Sequence, residues 1–201
     1  QMCIRDSPDS DHTLYALANG TDLLLENHPQ TPENTMAVGK KNIDHLEENA
    51  KAAVLAYYEE RGRLYDIMEE LEKASAIYQQ SQNKENFSMM RIEQNVYPTA
   101  ANDRLIFFQT SLHLPLAEKT FTERNLCEVF DRKTGAYIPI EDLFICPLEE
   151  LGSQLLVLAH LSDADRADME AAFRREYIFF TEDSLCIDFP AGSLTNYKEQ
   201  Y

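Results

Sequence analysis

The sequence predicts an α+β fold in which an antiparallel sheet carries helices packed on one face and is preceded by a long amphipathic helix. Apolar residues recur at steps of three and four between residues 42 and 82, which is the period of a helix. Beyond residue 87 the period shortens to the alternation of strands, and helical segments follow before a closing hairpin. The 201 residues, of which 44% are hydrophobic, suffice for one folded domain with a helical extension.

The first 41 residues lack a sustained helical or strand period. Residues 1–7 match the translation of a common transposon sequencing adapter, so we expect them to be an artefact foreign to the natural chain. Residues 8–41 are rich in Asp, Asn, Pro and Thr, and Pro29 and Pro32 interrupt any long element. We expect a loosely structured segment with one short helix at 11–26. No apolar run approaches about 18 residues, so we expect no membrane-spanning segment in this sequence.

Residues 42–82 are predicted to form the long amphipathic helix, with Asn42 or Asp44 as its N-cap. The pattern lapses at Gly62. A glycine in a helix interior costs about 1 kcal/mol relative to alanine, so a kink or a helical hairpin is the alternative to one straight helix. The apolar stripe is expected to pack on the domain core, and a coiled-coil dimer is the alternative. The stripe consists of Ile43, Leu46, Ala50, Ala53, Tyr57, Leu64, Ile67, Leu71, Ala74 and Tyr78.

The region 87–201 is expected to form the α+β domain itself. Leu185, Ile187 and Phe189 alternate with less apolar neighbours, so the closing hairpin should present one apolar face and belong to the sheet. Ser162 is the expected N-cap of the last helix. The predicted elements are strands at 87–97, 105–114 and 120–130, helices at 148–160 and 162–176, and the hairpin at 177–189.

Two short motifs stand out in this region. The first combines residues 130–135, Phe-Asp-Arg-Lys-Thr-Gly, a turn whose glycine can adopt a positive φ, with residues 140–144 just behind it. Residues 177–190 read as two strands around a polar turn, closed by a proline. On geometry alone they predict two hairpins of an α+β domain. The motif residues are Phe130, Asp131, Lys133, Thr134, Gly135, Asp142, Leu143, Phe144, Phe180, Thr181, Asp183, Leu185, Phe189 and Pro190.

Taken together, these motifs resemble an extracytoplasmic C-terminal domain of unknown function in Gram-positive bacteria. That domain is shared by a lysozyme-sensing anti-sigma factor and a peptidoglycan deacetylase. The resemblance covers roughly residues 87–201 and implies a recognition domain displayed outside the cytoplasmic membrane. Members usually carry a Gly-Gly-Ala-His segment before the Asp-x-Lys-Thr-Gly turn, whereas residues 111–115 here read Ser-Leu-His-Leu-Pro.

The chain is strongly acidic, with 35 Asp and Glu residues against 18 Lys and Arg residues and a formal net charge of −17. Nucleic acid and anionic lipid surfaces would repel such a chain, so we expect neither as a partner. An acidic surface that recognises a cationic protein is the specific interpretation. The general interpretation is that the negative charge serves solubility alone.

Residue patterns for catalysis or metal binding are absent from the sequence. It has neither a phosphate-binding glycine loop nor a Gly-x-Ser-x-Gly elbow, and its five histidines are scattered. Cys127, Cys146 and Cys186 form no Cys-x-x-Cys pair and lie in apolar contexts, which is typical of buried thiols; one disulfide among them remains an alternative. We therefore predict no catalytic residue, no metal site and no cofactor.

These observations favour a non-catalytic, extracytoplasmic recognition or sensor domain that binds a cationic protein or a cell-wall glycan. The alternatives are a cell-wall hydrolase or deacetylase with an unrecognised site, and a cytoplasmic protein that acts through helix-mediated interactions. The chain is expected to be a monomer or a helix-mediated dimer. The candidate ligand contacts lie near the loop tips of the resemblance or in its altered segment, and they are Asp131, Tyr137, Glu182, Asp183 and His113.

Overall fold

The computed structural model confirms an α+β fold. It describes residues 11–32, 43–159, 161–181, 183–190, 192–195 and 197, together with the backbone of 2–6. Four helices and nine strands lie in these ranges. The strands are β1 (Met2–Asp6), β2 (His12–Leu17), β3 (Asp22–Asn27), β4 (Met90–Ala101), β5 (Leu105–Ala117), β6 (Thr120–Asp131), β7 (Tyr137–Ile138), β8 (Ile178–Phe180) and β9 (Leu185–Ile187). The helices are α1 (Glu48–Arg61), α2 (Ile67–Gln80), α3 (Leu148–Leu158) and α4 (Asp163–Ala172).

The main sheet is mixed, which corrects the prediction of a purely antiparallel sheet. Its strand order is β1-β2-β3-β4-β5-β6-β7. β3 and β4 pair in parallel, with Leu25 opposite Arg91. A parallel pair needs a long crossover, and the chain between these strands contains both α1 and α2. The prediction failed because a local alternation of residues carries no information about the direction of a distant partner.

The predicted short helix at 11–26 is also wrong, because β2 and β3 form an antiparallel hairpin there. The connection turns at Gly20, whose φ is 89°. Leu23 and Leu24 are fully buried. A short apolar run fits a buried strand or a buried helix equally well, so its period alone could not decide. β1 pairs with β2 and is built from the residues that we expect to be foreign to the natural chain.

The long helix predicted for 42–82 is two helices, α1 and α2. The chain leaves the helical path at Gly62, whose φ is 59°, and α2 begins after Asp66. The Asp66 carboxylate accepts a hydrogen bond from the backbone N–H of Met68 at 2.8 Å and so caps α2. The predicted stripe is partly correct. Leu46, Ala50, Leu71 and Ala74 are buried, Leu64 is half-buried, and Val54 and Tyr58 replace Ala53 and Tyr57 on the buried face of α1.

The chain divides into two compact units, and β4, β5 and β6 each contribute one part to each unit. Unit 1 comprises Gln1–Gln30, Arg61–Asn95 and Ser111–Arg124. Its core joins α2 to the strands. The buried members of that core are Tyr15, Leu23, Leu24, Leu71, Ala74, Met90 and Ile92.

Unit 2 comprises Thr31–Glu60, Val96–Thr110 and Asn125–Tyr201. The side chains of a strand alternate between two faces, and here both faces are covered. One face packs on α1, through residues that include Phe108 and Phe130. The other face carries Phe107 and Val129, which pack against Leu143 and Phe180.

The closing hairpin does not belong to the main sheet, contrary to prediction. β8 and β9 form a separate two-stranded antiparallel sheet, in which Phe179 faces Cys186. The predicted apolar face is present, because Ile187 is half-buried and packs beside Phe189 in a cluster with Leu156 and Met169. The hairpin therefore joins the rest of unit 2 through side-chain packing and not through a strand ladder. Among the described residues, no helix is long and apolar enough to cross a membrane.

Candidate functional site

A groove of about 410 Å³ in unit 2, here called the hairpin groove, is the first candidate site. It lies where the β4–β5 connection, the turn Ile140–Leu143 and the β8–β9 hairpin come together. Its lining is mainly apolar, with hydroxyl groups and one carboxylate. The lining residues are Ala100, Ala101, Asn102, Leu105, Phe107, Leu143, Phe144, Phe180, Thr181, Asp183, Ser184 and Leu185.

Contacts among three phenylalanine rings form the apolar wall of the hairpin groove. The Phe180 ring centroid lies 4.6 Å from that of Phe107 and 6.1 Å from that of Phe144, the latter pair being stacked. Aromatic pairs at such distances attract each other beyond the area that they bury. The turn of the hairpin is closed by Thr181, whose backbone N–H donates to the Ser184 carbonyl at 2.9 Å. Asp183 is exposed at this turn and is not needed to close it.

Six of the fourteen motif residues, drawn from both motifs, line this groove. Leu143 and Phe144 come from the first motif, and Phe180, Asp183 and Leu185 come from the second. They are separated by more than thirty residues in the sequence, yet they line one surface. Phe107 was not identified from the sequence, because it looks like any apolar strand residue until its neighbour Phe180 is known.

The segment 139–190, which contributes Leu143, Phe144 and the hairpin residues to the groove lining, is much more acidic than the rest of the chain. It contains twelve acidic residues and three basic ones, all arginines. Arg175 pairs with Glu141 at 2.7 Å and with Glu176 at 3.3 Å, and Arg166 pairs with Asp163 at 3.2 Å. Arg174 donates to backbone carbonyls. The segment therefore has nine more acidic than basic residues, and Asp183 is the described carboxylate that lines the groove.

Asp131, a predicted ligand contact, has a structural role in its turn. Its Oδ1 accepts hydrogen bonds from the backbone N–H groups of Thr134 at 2.8 Å and Lys133 at 3.0 Å, and from the Thr134 hydroxyl at 2.9 Å. The bonds from Thr134 are the main reason that the Asp131 pKa is lowered. Gly135 ends the turn with a φ of 71° and lies against the backbone of Ala50 in α1. The turn therefore anchors α1 in unit 2.

Tyr137, the second predicted contact, lies beside that turn and is 43% exposed. Its ring stacks on Tyr57 with centroids 4.9 Å apart and planes 12° apart. Partial burial raises the Tyr137 pKa, and the nearby Glu141 charge raises it further. The ring is thus held in place with one part open to solvent. It does not line the hairpin groove.

His113 lies in unit 1, in a second groove of about 280 Å³, here called the histidine groove. The His113 ring stacks on Phe121, with centroids 4.9 Å apart and planes 22° apart. Its Nε2 lies 3.2 Å from the Ser111 hydroxyl and 3.4 Å from a Glu123 carboxylate oxygen. The groove is lined by Met89, Met90, Arg91, Glu93, His113, Pro115, Ala117, Lys119, Thr120 and Phe121.

Ser111, His113 and Glu123 have the residue types of a catalytic triad but not its geometry. In a triad the serine and the carboxylate bind opposite nitrogens of the imidazole, so that the imidazole can take the serine proton while the carboxylate orients it. Here both groups approach the same atom, Nε2, and Ser111 also donates directly to Glu123 at 3.2 Å. Ser111 is only 5% exposed. The cluster fits the support of the histidine ring and does not fit nucleophilic attack.

The five predicted contacts are therefore dispersed. Asp183 lines the hairpin groove and His113 lines the histidine groove, whereas Asp131 and Tyr137 line neither. Glu182 lies outside the described residues. Sequence reasoning missed Phe121, which is 54% exposed; a large aromatic residue among polar neighbours in β6 was the available signal.

The cysteines and acidic clusters add no further chemistry to the described part of the chain. Cys127, Cys146 and Cys186 are free thiols. Burial raises the pKa of Cys127 to about 12, which leaves it as an unreactive thiol at neutral pH. Within the described ranges, no group of three or more His, Cys, Asp or Glu side chains could hold a metal ion. No protein-family model matches the chain, and no curated protein matches it either.

Proposed function

We propose that this chain is a recognition domain that binds a cationic protein, without catalysis, at the hairpin groove of unit 2. The observation that carries the proposal is an aromatic groove that is partly lined by the acidic segment 139–190 and that presents the Asp183 carboxylate. Such a surface complements a basic surface that also presents an apolar side chain.

The two parts of the surface would contribute differently to binding. The groove formed by Phe107, Phe144 and Phe180 is a preformed apolar surface on which an apolar side chain of the partner can pack. Buried aromatic contacts commonly contribute most of the binding energy. Asp183, together with the net negative charge of the segment 139–190, would steer the partner and speed its association. The association rate should therefore depend on salt more strongly than the dissociation rate does.

The lining of the groove favours binding over hydrolysis or deacetylation. Asp183 is the only ionisable side chain among the described lining residues. General acid–base catalysis on a glycan normally uses two carboxylates or a carboxylate and a histidine that act together. The resemblance to an extracytoplasmic anti-sigma-factor domain supports the same interpretation, and it supports a location outside the cytoplasmic membrane.

Lysozyme is a suitable cationic probe, and the structurally similar but acidic α-lactalbumin is a matched control. Immobilised chain should bind lysozyme at low salt, with an association rate that falls steeply as salt rises, and should not bind α-lactalbumin. Asp183→Lys should slow association several-fold. Glu59→Lys makes the same charge change on an exposed residue of α1, away from the groove, and should have a clearly smaller effect.

Two results would contradict the proposal. Equal effects of Asp183→Lys and Glu59→Lys would mean that only net charge matters and that the groove is not the site. Turnover of peptidoglycan, or release of its acetyl groups by the purified chain, would show an enzyme and not a recognition domain.

A further inference from the structure

We propose that the histidine groove of unit 1 is a separate site for a carboxylated sugar, such as a uronic acid. The site would combine Phe121 as an apolar platform for the sugar ring with Arg91 and Lys119 as partners for the carboxylate. This proposal is independent of the protein-binding function assigned to unit 2.

The platform is a phenylalanine ring with a large exposed surface. Phe121 is 54% exposed although it stacks on His113. The face of an aromatic ring carries partial negative charge, which attracts the C–H groups on the face of a sugar. Strand alternation also places this groove on the sheet face opposite the core, since Arg91 and Glu93 alternate with the buried Met90 and Ile92.

The platform is fixed before any ligand arrives. His113, which supports the Phe121 ring, is itself held through Nε2 by Ser111 and Glu123. These residues lie on β5 and β6, which are regular strands and not mobile loops. A preorganised ring loses little conformational entropy on binding, so a small contact area can still give measurable affinity.

The two cations of the groove have no ion-pair partner among the described residues. This is unexpected in a chain with nearly two acidic residues for each basic one. Lys119 also has a φ of 67°, the only positive value among the described residues other than glycine. Its neighbour Glu118 is bound to Ser81 and to the backbone of Ser88, which fixes this turn.

The size and polarity of the groove select the ligand class. A volume of about 280 Å³ is just below the range usual for ligand pockets, which suits a single small ring. Thr120 and the second carboxylate oxygen of Glu93, whose Oε1 accepts from Asn27 Nδ2 at 3.1 Å, can bond to sugar hydroxyls, which a purely aromatic acid lacks. A polyanion such as nucleic acid would be repelled by the net charge of −17, whereas a ligand with a single carboxylate meets much less repulsion.

Glucuronic acid and glucose test the proposal as a pair, because they differ only at the carbon that bears the carboxylate. We expect glucuronic acid to shift the NMR signals of the His113 and Phe121 rings saturably in the full chain. Glucose should bind at least several-fold more weakly. Added salt should reduce this preference, because the interaction with the carboxylate is electrostatic and exposed.

Variants separate the two parts of the site. Phe121→Ala should abolish binding of both sugars, whereas Phe121→Tyr should retain it. Arg91→Gln should reduce glucuronic acid binding about to the level of glucose. Arg124→Gln removes an exposed arginine from the same strand as Phe121 but not from the groove, and should change nothing.

Three results would contradict this proposal. If both sugars bind equally and Arg91→Gln does not change their affinity, Arg91 and Lys119 do not bind the carboxylate. Absence of saturable shifts at His113 and Phe121, in a wild-type chain whose spectrum shows it folded, would overturn the site itself. Benzoate binding as tightly as glucuronic acid would show that the groove takes flat acids in general and would contradict the sugar assignment.

Discussion

At the scale of single residues, Glu26 of unit 1 is a carboxylate that three neighbouring side chains hold in place. It is fully buried. Its Oε1 accepts the Tyr65 hydroxyl at 2.7 Å and pairs with Arg63 Nε at 2.8 Å, and its Oε2 accepts the Tyr15 hydroxyl at 2.7 Å. Burying an unpaired carboxylate costs several kcal/mol, so these three donors are needed to keep it in the fold.

Tyr65→Phe should reveal that dependence through pH. Burial and the bond to Glu26 raise the Tyr65 pKa, so the folded chain keeps a proton that the unfolded chain loses above pH 10. The hydroxyl therefore stabilises the fold below pH 10, and this contribution is lost as pH rises further. At pH 7 we expect Tyr65→Phe to cost about 1–2 kcal/mol in the free energy of unfolding.

Urea unfolding at pH 7 and at pH 11 measures this effect. The difference in the free energy of unfolding between wild type and Tyr65→Phe should be smaller at pH 11. The partial exposure of Tyr65 screens the interaction and limits how far it narrows. Tyr97→Phe, at an exposed tyrosine, is the control and should show no such change. A difference that widens with pH would mean that the hydroxyl is not the protonated donor to Glu26.

At the scale of elements, Gly135 tests whether the 130–135 turn anchors α1. A side chain there would place Cβ in a steric clash with the Ala50 carbonyl oxygen, which is backbone and cannot move alone. The φ of 71° adds strain for any residue with a Cβ. Gly135→Ala should therefore lower the free energy of unfolding by more than about 2 kcal/mol.

Gly20→Ala is the matched control for that experiment. Gly20 also has a positive φ, at 89°, but a Cβ there would meet nothing within 4 Å. Gly20→Ala should therefore lower the free energy of unfolding only by the conformational strain, about 1 kcal/mol. The difference between the two variants, measured by thermal or urea unfolding, is the contribution of the contact with α1. Equal costs would mean that the turn does not hold the helix.

The elements that the sequence predicted best are those with local signals. The helices at 148–158 and 163–172, the Ser162 cap and the closing hairpin all follow from period, caps and turn residues. The break at Gly62 was open as an alternative for the same reason. The parallel pairing of β3 with β4 depends on a partner more than sixty residues away, for which no local pattern exists.

The candidate sites show the same limit. Asp183 and His113 could be chosen from the sequence because polar residues at a turn or in an apolar strand are visible there. Phe107 and Phe180 could not be paired, because only the folded chain brings β5 and β8 together. The position of Asp131 at a loop tip predicts a ligand contact, whereas its hydrogen bonds commit Oδ1 to the turn.

At the scale of the whole molecule, the formal charge of −17 should make stability depend on ionic strength. Like charges repel most in the compact state, and the Debye length falls from about 30 Å at 0.01 M salt to about 8 Å at 0.15 M. Screening should therefore stabilise the fold. We expect the thermal midpoint to rise by a few degrees over that range, which corresponds to about 1 kcal/mol for a chain of this size.

Sodium chloride and choline chloride should act alike, since screening depends on ionic strength and not on the identity of the cation. Lowering the pH toward the isoelectric point near 4.6 should reduce the effect of salt, because the net charge approaches zero there. A thermal midpoint that falls as salt rises at pH 7 would mean that screening destabilises the fold. Ion pairs such as Arg63–Glu26 and Arg175–Glu141 would then contribute more to stability than the overall repulsion removes.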